Sequence, residues 1–189
     1  MSPALPFYAL CLLWAASELW LSIRKRSGDA ARARDAGTLR LLLLTVCASI
    51  AIAVWIAALG IARFPHHAAH ALLWTGCAMM AIGIALRWWA IRALARWFTV
   101  DVTIRPGHQL IRSGPYRWLR HPSYSGALLT LYGFAIAFGN ALSLAIVIVP
   151  VTLAFLWRMR IEERVLSEAF PEAYAAYARD TKRLLPYLW

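Results

Sequence analysis

Acidic residues are scarce in this sequence. Asp and Glu number 9 against 20 Lys and Arg over 189 residues, and charge of both signs together makes up only 15%. A soluble domain carries about 25% charged residues. Here 61% of the residues are hydrophobic, and they gather into long blocks instead of recurring at amphipathic spacing. That pattern excludes an ordinary soluble domain and indicates an integral membrane protein. Cysteine is equally sparse: Cys11, Cys47 and Cys77 all fall inside predicted spans. None forms a CxxC pair or any metal-ligand spacing, so a disulfide framework is excluded and each thiol is read as a small hydrophobe. Nowhere does a Gly-rich loop follow a strand, which removes a Rossmann-type cofactor domain. There is no internal repeat, and the one low-complexity stretch is the Ala/Arg-rich loop at about 27–37.

The net charge of +11 raises nucleic acid as a partner, but the distribution argues against it. The Arg residues sit in loops beside apolar spans, where the positive-inside rule and anionic headgroups account for them. The N-terminal apolar block has no basic residues ahead of it, so it reads as a retained first span and not as a signal peptide.

Five spans are predicted, at about 5–23, 41–62, 71–90, 123–138 and 141–157. The last two are short against the roughly 17–25 residues a spanning helix needs and are separated by Gly139-Asn140, a turn signal. Arg87 near the end of the third is expected to snorkel. Basic residues crowd the loop after span one, the segment between spans three and four, and the tail. An odd span count with those segments inside places the N-terminus outside and the C-terminus in the cytosol. Residues 98–104 alternate with β-branched side chains before Pro106-Gly107, which predicts an extended cytosolic connector or a short hairpin. Pro171 suits the start of a further helix with Tyr174 and Tyr177 on one side, lying at the interface. The expected fold is thus all-α and membrane-embedded, about five transmembrane helices with a cytosolic connector and a C-terminal interfacial helix. Residues 1–97 form the three-span region and 98–189 the connector, final hairpin and tail, within one integral domain.

The chemistry concentrates in a polar and aromatic cassette. His108-Gln109-Leu110-Ile111 leads to Ser113-Gly114-Pro115-Tyr116, then Arg120-His121-Pro122-Ser123-Tyr124-Ser125-Gly126, and Glu162-Glu163 follow later. Pro122 biases His121 away from the α conformation and suits the first turn of span four. Gly126 leaves room for a ligand or a close helix approach. The final hairpin brings Arg158, Arg160, Glu162 and Glu163 to the same end as His121. Such a pocket suits a zwitterionic, cationic ligand: Glu162 for an ammonium, aromatic faces for a sulfonium, Arg for a carboxylate, and the connector around Leu110 and Ile111 for a nucleotide-like ring. Ionisable groups between spans are costly, which marks the cluster as functional. His66, His67 and His70 lack an accompanying carboxylate or Cys and read as an exposed outer loop; no metal site is expected.

These motifs, with the tail pattern Phe170-x-x-x-Tyr174-x-x-Tyr177, resemble the isoprenylcysteine carboxyl methyltransferase family and, more broadly, membrane methyltransferases that include phospholipid N-methyltransferases. The match runs from about Phe98 to the C-terminus, and the compact plan is similar to short prokaryotic members. The resemblance implies S-adenosyl-L-methionine as cofactor, contacted by His108, Gln109, Leu110, Ile111, Tyr116, His121, Pro122, Ser123, Tyr124 and Glu162. It implies that Arg158 meets the substrate, with Arg160 a second candidate; where the eukaryotic enzymes have a cofactor-contacting Gln this chain has Asp101. The expected reaction is in-line methyl transfer to a lipophilic or lipidated acceptor that enters from the bilayer, most simply a carboxylate. An amine or thiol acceptor is the alternative. An ammonium would need a base, for which Glu163 or His121 is available, so Arg158 and Glu163 are the expected catalytic residues. A non-enzymatic transport or assembly protein is the competing class. It calls for a polar path through the membrane, which the apolar second, fourth and fifth spans do not offer.

Overall fold

The computed structural model describes residues 4–24, 37–101, 104, 107 and 109–185. Among these described residues, six α-helices carry the fold: α1 (Leu5–Arg24), α2 (Thr38–Leu59), α3 (Ala69–Leu94), α4 (Pro122–Ala137), α5 (Ala141–Ala169) and α6 (Pro171–Asp180). Among the described residues there is no strand, only isolated bridges. Four helices, α1, α2, α3 and α5, are long and apolar enough to cross a membrane. The expected fourth span is present as α4 but has only 16 residues, about 24 Å at 1.5 Å per residue, against a hydrocarbon core of about 30 Å. The reason lies in its position. Residues on several sides of α4, from Pro122 to Ala135, are buried, because α3 and α5 pack against it. A helix enclosed by protein need not match the bilayer. The outer helices instead expose Leu12, Trp55, Val149 and Leu153, side chains suited to lipid.

Small residues set the tightest packing. A Cβ built on Gly83 would lie 2.6 Å from the Gly126 carbonyl oxygen, and one on Gly126 would lie 2.6 Å from both the Gly83 oxygen and the Arg87 nitrogen. Gly76 and Gly133 repeat the arrangement one heptad away. Of the two uses foreseen for Gly126, the structure displays close helix approach, the small-residue packing favoured where lipid offers no hydrophobic drive. It also brings Arg87 of α3 against the first turn of α4.

At the far end, the Gly139-Asn140 turn docks on the α2–α3 loop. Phe64 N–H donates to the Gly139 oxygen at 2.8 Å and Ala141 N–H to the Ala62 oxygen at 3.0 Å. The Asn140 side chain donates to the Ile61 carbonyl while its Oδ1 accepts from Ser143 N–H at 2.8 Å, capping α5. Pro150 lies inside α5 without ending it, and the helix runs 29 residues into the site. Thr38 at the start of α2 meets Arg158 of α5, whereas Phe7 at the start of α1 packs on Phe138 at the far end of α4, so α1 begins opposite the site.

The hairpin considered around Pro106-Gly107 falls largely outside the described residues. After α3 the chain takes a short 3-10 turn at Ala95–Trp97 and another at Gly114–Arg117, and the described residues between them form no hairpin. The end of the connector pairs with the C-terminal tail. Leu119 bridges Lys182 in parallel; Arg120 N–H donates to the Lys182 oxygen at 2.7 Å and His121 N–H to the Arg183 oxygen at 3.1 Å. Residues 102, 103, 105, 106 and 108 lie outside the described residues.

Candidate functional site

His121 is the residue before α4, with φ −125° and ψ 53°, the non-helical conformation that the following proline imposes. Its ring is buried and stacks on Tyr124 one turn on, with centroids 5.4 Å apart and planes within 6°. The Tyr124 hydroxyl donates to Glu162 Oε2 at 2.7 Å and accepts from Arg158 Nε at 3.0 Å. Arg158 is 2% exposed. Its remaining nitrogens donate to Thr38 Oγ1 at 3.0 Å and to the Val100 carbonyl, fixing the guanidinium between α2, α4 and the connector. Glu162 Oε2 also lies 3.8 Å from His121 Nδ1. A carboxylate, a phenol and a guanidinium are thus held in one chain of hydrogen bonds.

Glu163 points elsewhere. Its carboxylate accepts from Arg120 Nε at 3.0 Å and from Arg183 Nη2 at 2.9 Å, and it lies 3.2 Å from His121 Nε2. Arg120 also donates to the carbonyls of Ala178 and Thr181 at 2.7 and 2.9 Å. This network ties the helix α5 to the tail behind the histidine, and Glu163 does not line the cavity described next.

One cavity of about 410 Å³ passes the cluster, within the roughly 300–1,000 Å³ of small-molecule sites. The part beside the connector and α6 is walled by Asp101, Gln109, Leu110, Ile111, Tyr116, Tyr174 and Tyr177, its middle by His121, Ser123, Tyr124, Arg158 and Glu162. Its remaining wall is apolar, with Leu42, Leu43, Val46, Cys47 and Ile50 of α2 and Trp14 of α1. Side chains of both α1 and α2 thus line it.

Of the residues singled out in the sequence, Gln109, Leu110, Ile111, Tyr116, His121, Ser123, Tyr124, Arg158 and Glu162 meet on this one wall. Pro122 is buried behind it as the first residue of α4. Arg160 is exposed and borders a separate small dimple with Arg183, because two residues along a helix turn the side chain to the opposite face. His108 lies outside the described residues.

Sequence reasoning passed over Glu18 and misjudged Arg87. Arg87 does not snorkel: its side chain is 12% exposed and grips both oxygens of Glu18, at 2.5 and 2.7 Å. It also donates to the Ser123 hydroxyl at 3.1 Å. Both residues line the cavity. The available signal was that Glu18 is the sole acidic residue of the first span, and a charge inside a span asks for a partner.

The site retains groups suited to a bound cofactor. The buried hydroxyl of Tyr174 has no hydrogen-bond partner among the described residues and its residue lines the cavity beside the connector, an orphan whose cost a ligand would relieve. Burial pushes the phenols of Tyr116, Tyr174 and Tyr177 well above their usual range, so they act as neutral hydroxyls. Tyr177 spends its proton on the carbonyls of Tyr116 and Leu119, at 2.8 and 3.1 Å. Carboxylate, guanidinium and aromatic faces together fit a zwitterionic sulfonium compound such as S-adenosylmethionine.

The model of the isoprenylcysteine carboxyl methyltransferase (ICMT) family matches residues 74–168 of the chain. Protein-S-isoprenylcysteine O-methyltransferase B of Arabidopsis thaliana is 34% identical over 115 residues, 60% of this chain and 58% of that protein. The protein-S-isoprenylcysteine O-methyltransferase of Saccharomyces cerevisiae is 31% identical over 115 residues, 60% of this chain and 48% of the relative. The cobalt-zinc-cadmium resistance protein CzcN of Cupriavidus metallidurans is 34% identical over 92 residues, 49% and 42% of the two chains. The solved structure of the eukaryotic intramembrane Ras methyltransferase ICMT superposes with a TM-score of 0.57 at 24% identity, covering 74% of this chain and 52% of that one. It is a likeness of fold. The chain spans 58% of the length of the Arabidopsis relative.

Proposed function

Because the chain belongs to the isoprenylcysteine carboxyl methyltransferase family, we propose that it is a multi-pass membrane methyltransferase acting on the carboxylate of a lipophilic acceptor. The observation that carries this reading is that one cavity joins the Tyr124–Glu162–Arg158 cluster to the apolar wall of α1 and α2.

S-adenosylmethionine supplies a methyl group on a cationic sulfur when bound. The chain's own residues do the rest by placement. Glu162 offers negative charge beside the aromatic faces of Tyr124 and His121. Gln109, Leu110, Ile111, Tyr116 and Tyr174 make a half-apolar slot for a nucleoside, with the Tyr174 hydroxyl as a free donor. Arg158 faces the same space with a guanidinium already oriented by Thr38 and Val100, so it can align an acceptor carboxylate. The apolar helices exclude water around the reacting groups.

A carboxylate is a nucleophile at neutral pH and calls for no base. An amine acceptor calls for one. Glu163, the obvious candidate, is turned into the Arg120–Arg183 network, which favours the carboxyl reading. The acceptor enters from the bilayer beside the apolar wall of α1 and α2, and the donor enters from the side carrying the basic loops, which we assign to the cytosol together with the C-terminus.

The test is transfer of labelled methyl groups from S-adenosylmethionine into a membrane extract by the purified chain. Label that leaves as methanol on mild alkaline hydrolysis marks a methyl ester and supports the assignment. Alkali-stable label on nitrogen or sulfur overturns the carboxyl assignment, and no incorporation by folded protein overturns the activity.

A further inference from the structure

The face of α3 opposite its Gly76 and Gly83 contact with α4 exposes Trp74, Ile82, Trp89, Arg92 and Arg96 in turn. These residues follow helical spacing, so they form one outward stripe. Trp74 and Trp89 stand about 22 Å apart along the axis, marking the two ends where membrane proteins carry aromatic belts. The ends differ. No Arg or Lys lies within a turn of Trp74. Trp89 instead packs edge-on against Trp118, with ring centroids 6.2 Å apart, and the Arg117 guanidinium lies 4.7 Å over the Trp118 ring.

A close backbone approach builds this cluster. Gly114 has φ 59°, and a Cβ there would lie 3.2 Å from the Ala93 methyl and 3.6 Å from the Trp89 indole nitrogen. The turn Gly114–Arg117 therefore comes down on α3 and delivers Arg117 and Trp118 beside Trp89, with Arg92 one turn beyond. Trp89 and Trp118 remain 47% and 41% exposed, and both arginines are exposed. No carboxylate answers them. α3 and residues 109–121 contain no Asp or Glu, and Glu18 is engaged by Arg87. Among the described residues neither Arg92 nor Arg117 makes an ion pair. The positive-inside rule accounts for arginines at this end of the helix, but not for their placement around a packed indole pair.

Two uncompensated guanidiniums beside an indole pair, at the end of an apolar stripe, fit an amphiphile with an anionic head. Arginine matches phosphate oxygens with its planar fork, while the exposed stripe at Ile82 offers the acyl chains an apolar bed. We propose that Trp89, Arg92, Arg117 and Trp118 form a headgroup site for an anionic phospholipid, whose phosphate the two arginines hold. None of the four lines the cavity. The turn Gly114–Arg117 sends Tyr116 inward to the cavity and Arg117 outward. The site is therefore distinct from that of methyl donor and acceptor, and its test needs no turnover.

Native mass spectrometry of the full chain, from detergent micelles doped with dioleoylphosphatidylglycerol or dioleoylphosphatidylcholine, reads retained lipid. Melting in the same micelles reads stabilisation. Wild type is expected to keep the anionic lipid roughly tenfold better than the zwitterionic one, the effect of one hydrogen bond to a charged group, and to melt higher with it. Arg92→Gln combined with Arg117→Gln should erase that preference. Trp118→Leu leaves every charge in place and should weaken retention several-fold, so it reads the site even if the double variant misfolds. Arg164→Gln with Arg179→Gln removes the same charge from exposed positions elsewhere and should leave the preference intact. Equal retention of the two lipids overturns the proposal, and equal loss in both double variants reduces it to general surface charge and overturns it too. So does stabilisation matched by inorganic phosphate without lipid, or a dimer mass that R92Q/R117Q abolishes, since a free anion or a second copy would then hold this face.

Discussion

Arg158 and Tyr124 face each other across the final helical hairpin, Nε to hydroxyl oxygen at 3.0 Å, and that bond closes a line from the α2 terminus to Glu162. A buried guanidinium is retained only where its hydrogen bonds are met. Here they are met by three different elements, so the charge that would hold an acceptor is in position before any ligand arrives. Replacing Arg158 with Lys keeps the charge and loses part of this fork. We expect kcat/KM for the acceptor to fall roughly 10- to 100-fold, the worth of a charged hydrogen bond of about 1.5–3 kcal/mol. The affinity for S-adenosylmethionine, measured by calorimetry, should change little; its complete loss would assign Arg158 to the donor.

Glu162→Gln keeps an acceptor for the Tyr124 hydroxyl but removes the negative charge. The expected result is donor affinity weaker by about tenfold or more, consistent with about 1.5–3 kcal/mol for a hydrogen bond to a charged group. Calorimetry with S-adenosylmethionine measures it directly. Unchanged affinity would mean that the cation lies elsewhere.

Glu163→Gln should behave differently from its neighbour. Its partners are Arg120 and Arg183, and Arg120 and Glu163 side chains are each 14% exposed, so removing the charge leaves two guanidiniums undercompensated. A loss of stability of about 1–3 kcal/mol is expected, below the 3–5 kcal/mol of a fully buried broken pair. Thermal melting checks this. A large fall in kcat at an unchanged Tm would return Glu163 to the chemistry.

Gly126→Ala tests the packing that positions the site. A methyl group there meets Gly83 and Arg87 backbone at 2.6 Å, and overpacking of this kind costs about 1–3 kcal/mol. Because Arg87 is displaced with α3, donor and acceptor binding should both weaken along with Tm. A variant with wild-type Tm and activity would show that the α3–α4 contact has slack.

Much of this was legible in the sequence because membrane helices announce themselves by length and composition. The ends of α1, α2 and α3 fall within a few residues of their predicted limits, and the Gly139-Asn140 turn is where the residues place it. The cassette was legible because His-Pro, Tyr and paired Glu cluster against an apolar background. Two things were not. Residue adjacency says nothing about facing, so both Glu162 and Glu163 were expected in the site although a 100° helical step sends one to the cavity and the other to the tail. Likewise Glu18 and Arg87 are 69 residues apart, and only the packing of α1 on α3 makes them partners. The Leu119–Lys182 pairing is a long-range ladder of the same kind, invisible to a local reading of the β-branched connector.

The most direct measurement is photocrosslinking with a diazirine placed on the farnesyl chain of N-acetyl-S-farnesylcysteine, with the sites mapped by mass spectrometry. A shared cavity predicts label on α2 at Leu42, Leu43, Val46 and Cys47, increased by S-adenosylhomocysteine and lost on competition with unlabelled acceptor. Label confined to lipid-facing positions such as Leu12, Trp55 and Leu153, indifferent to both additions, would contradict the account.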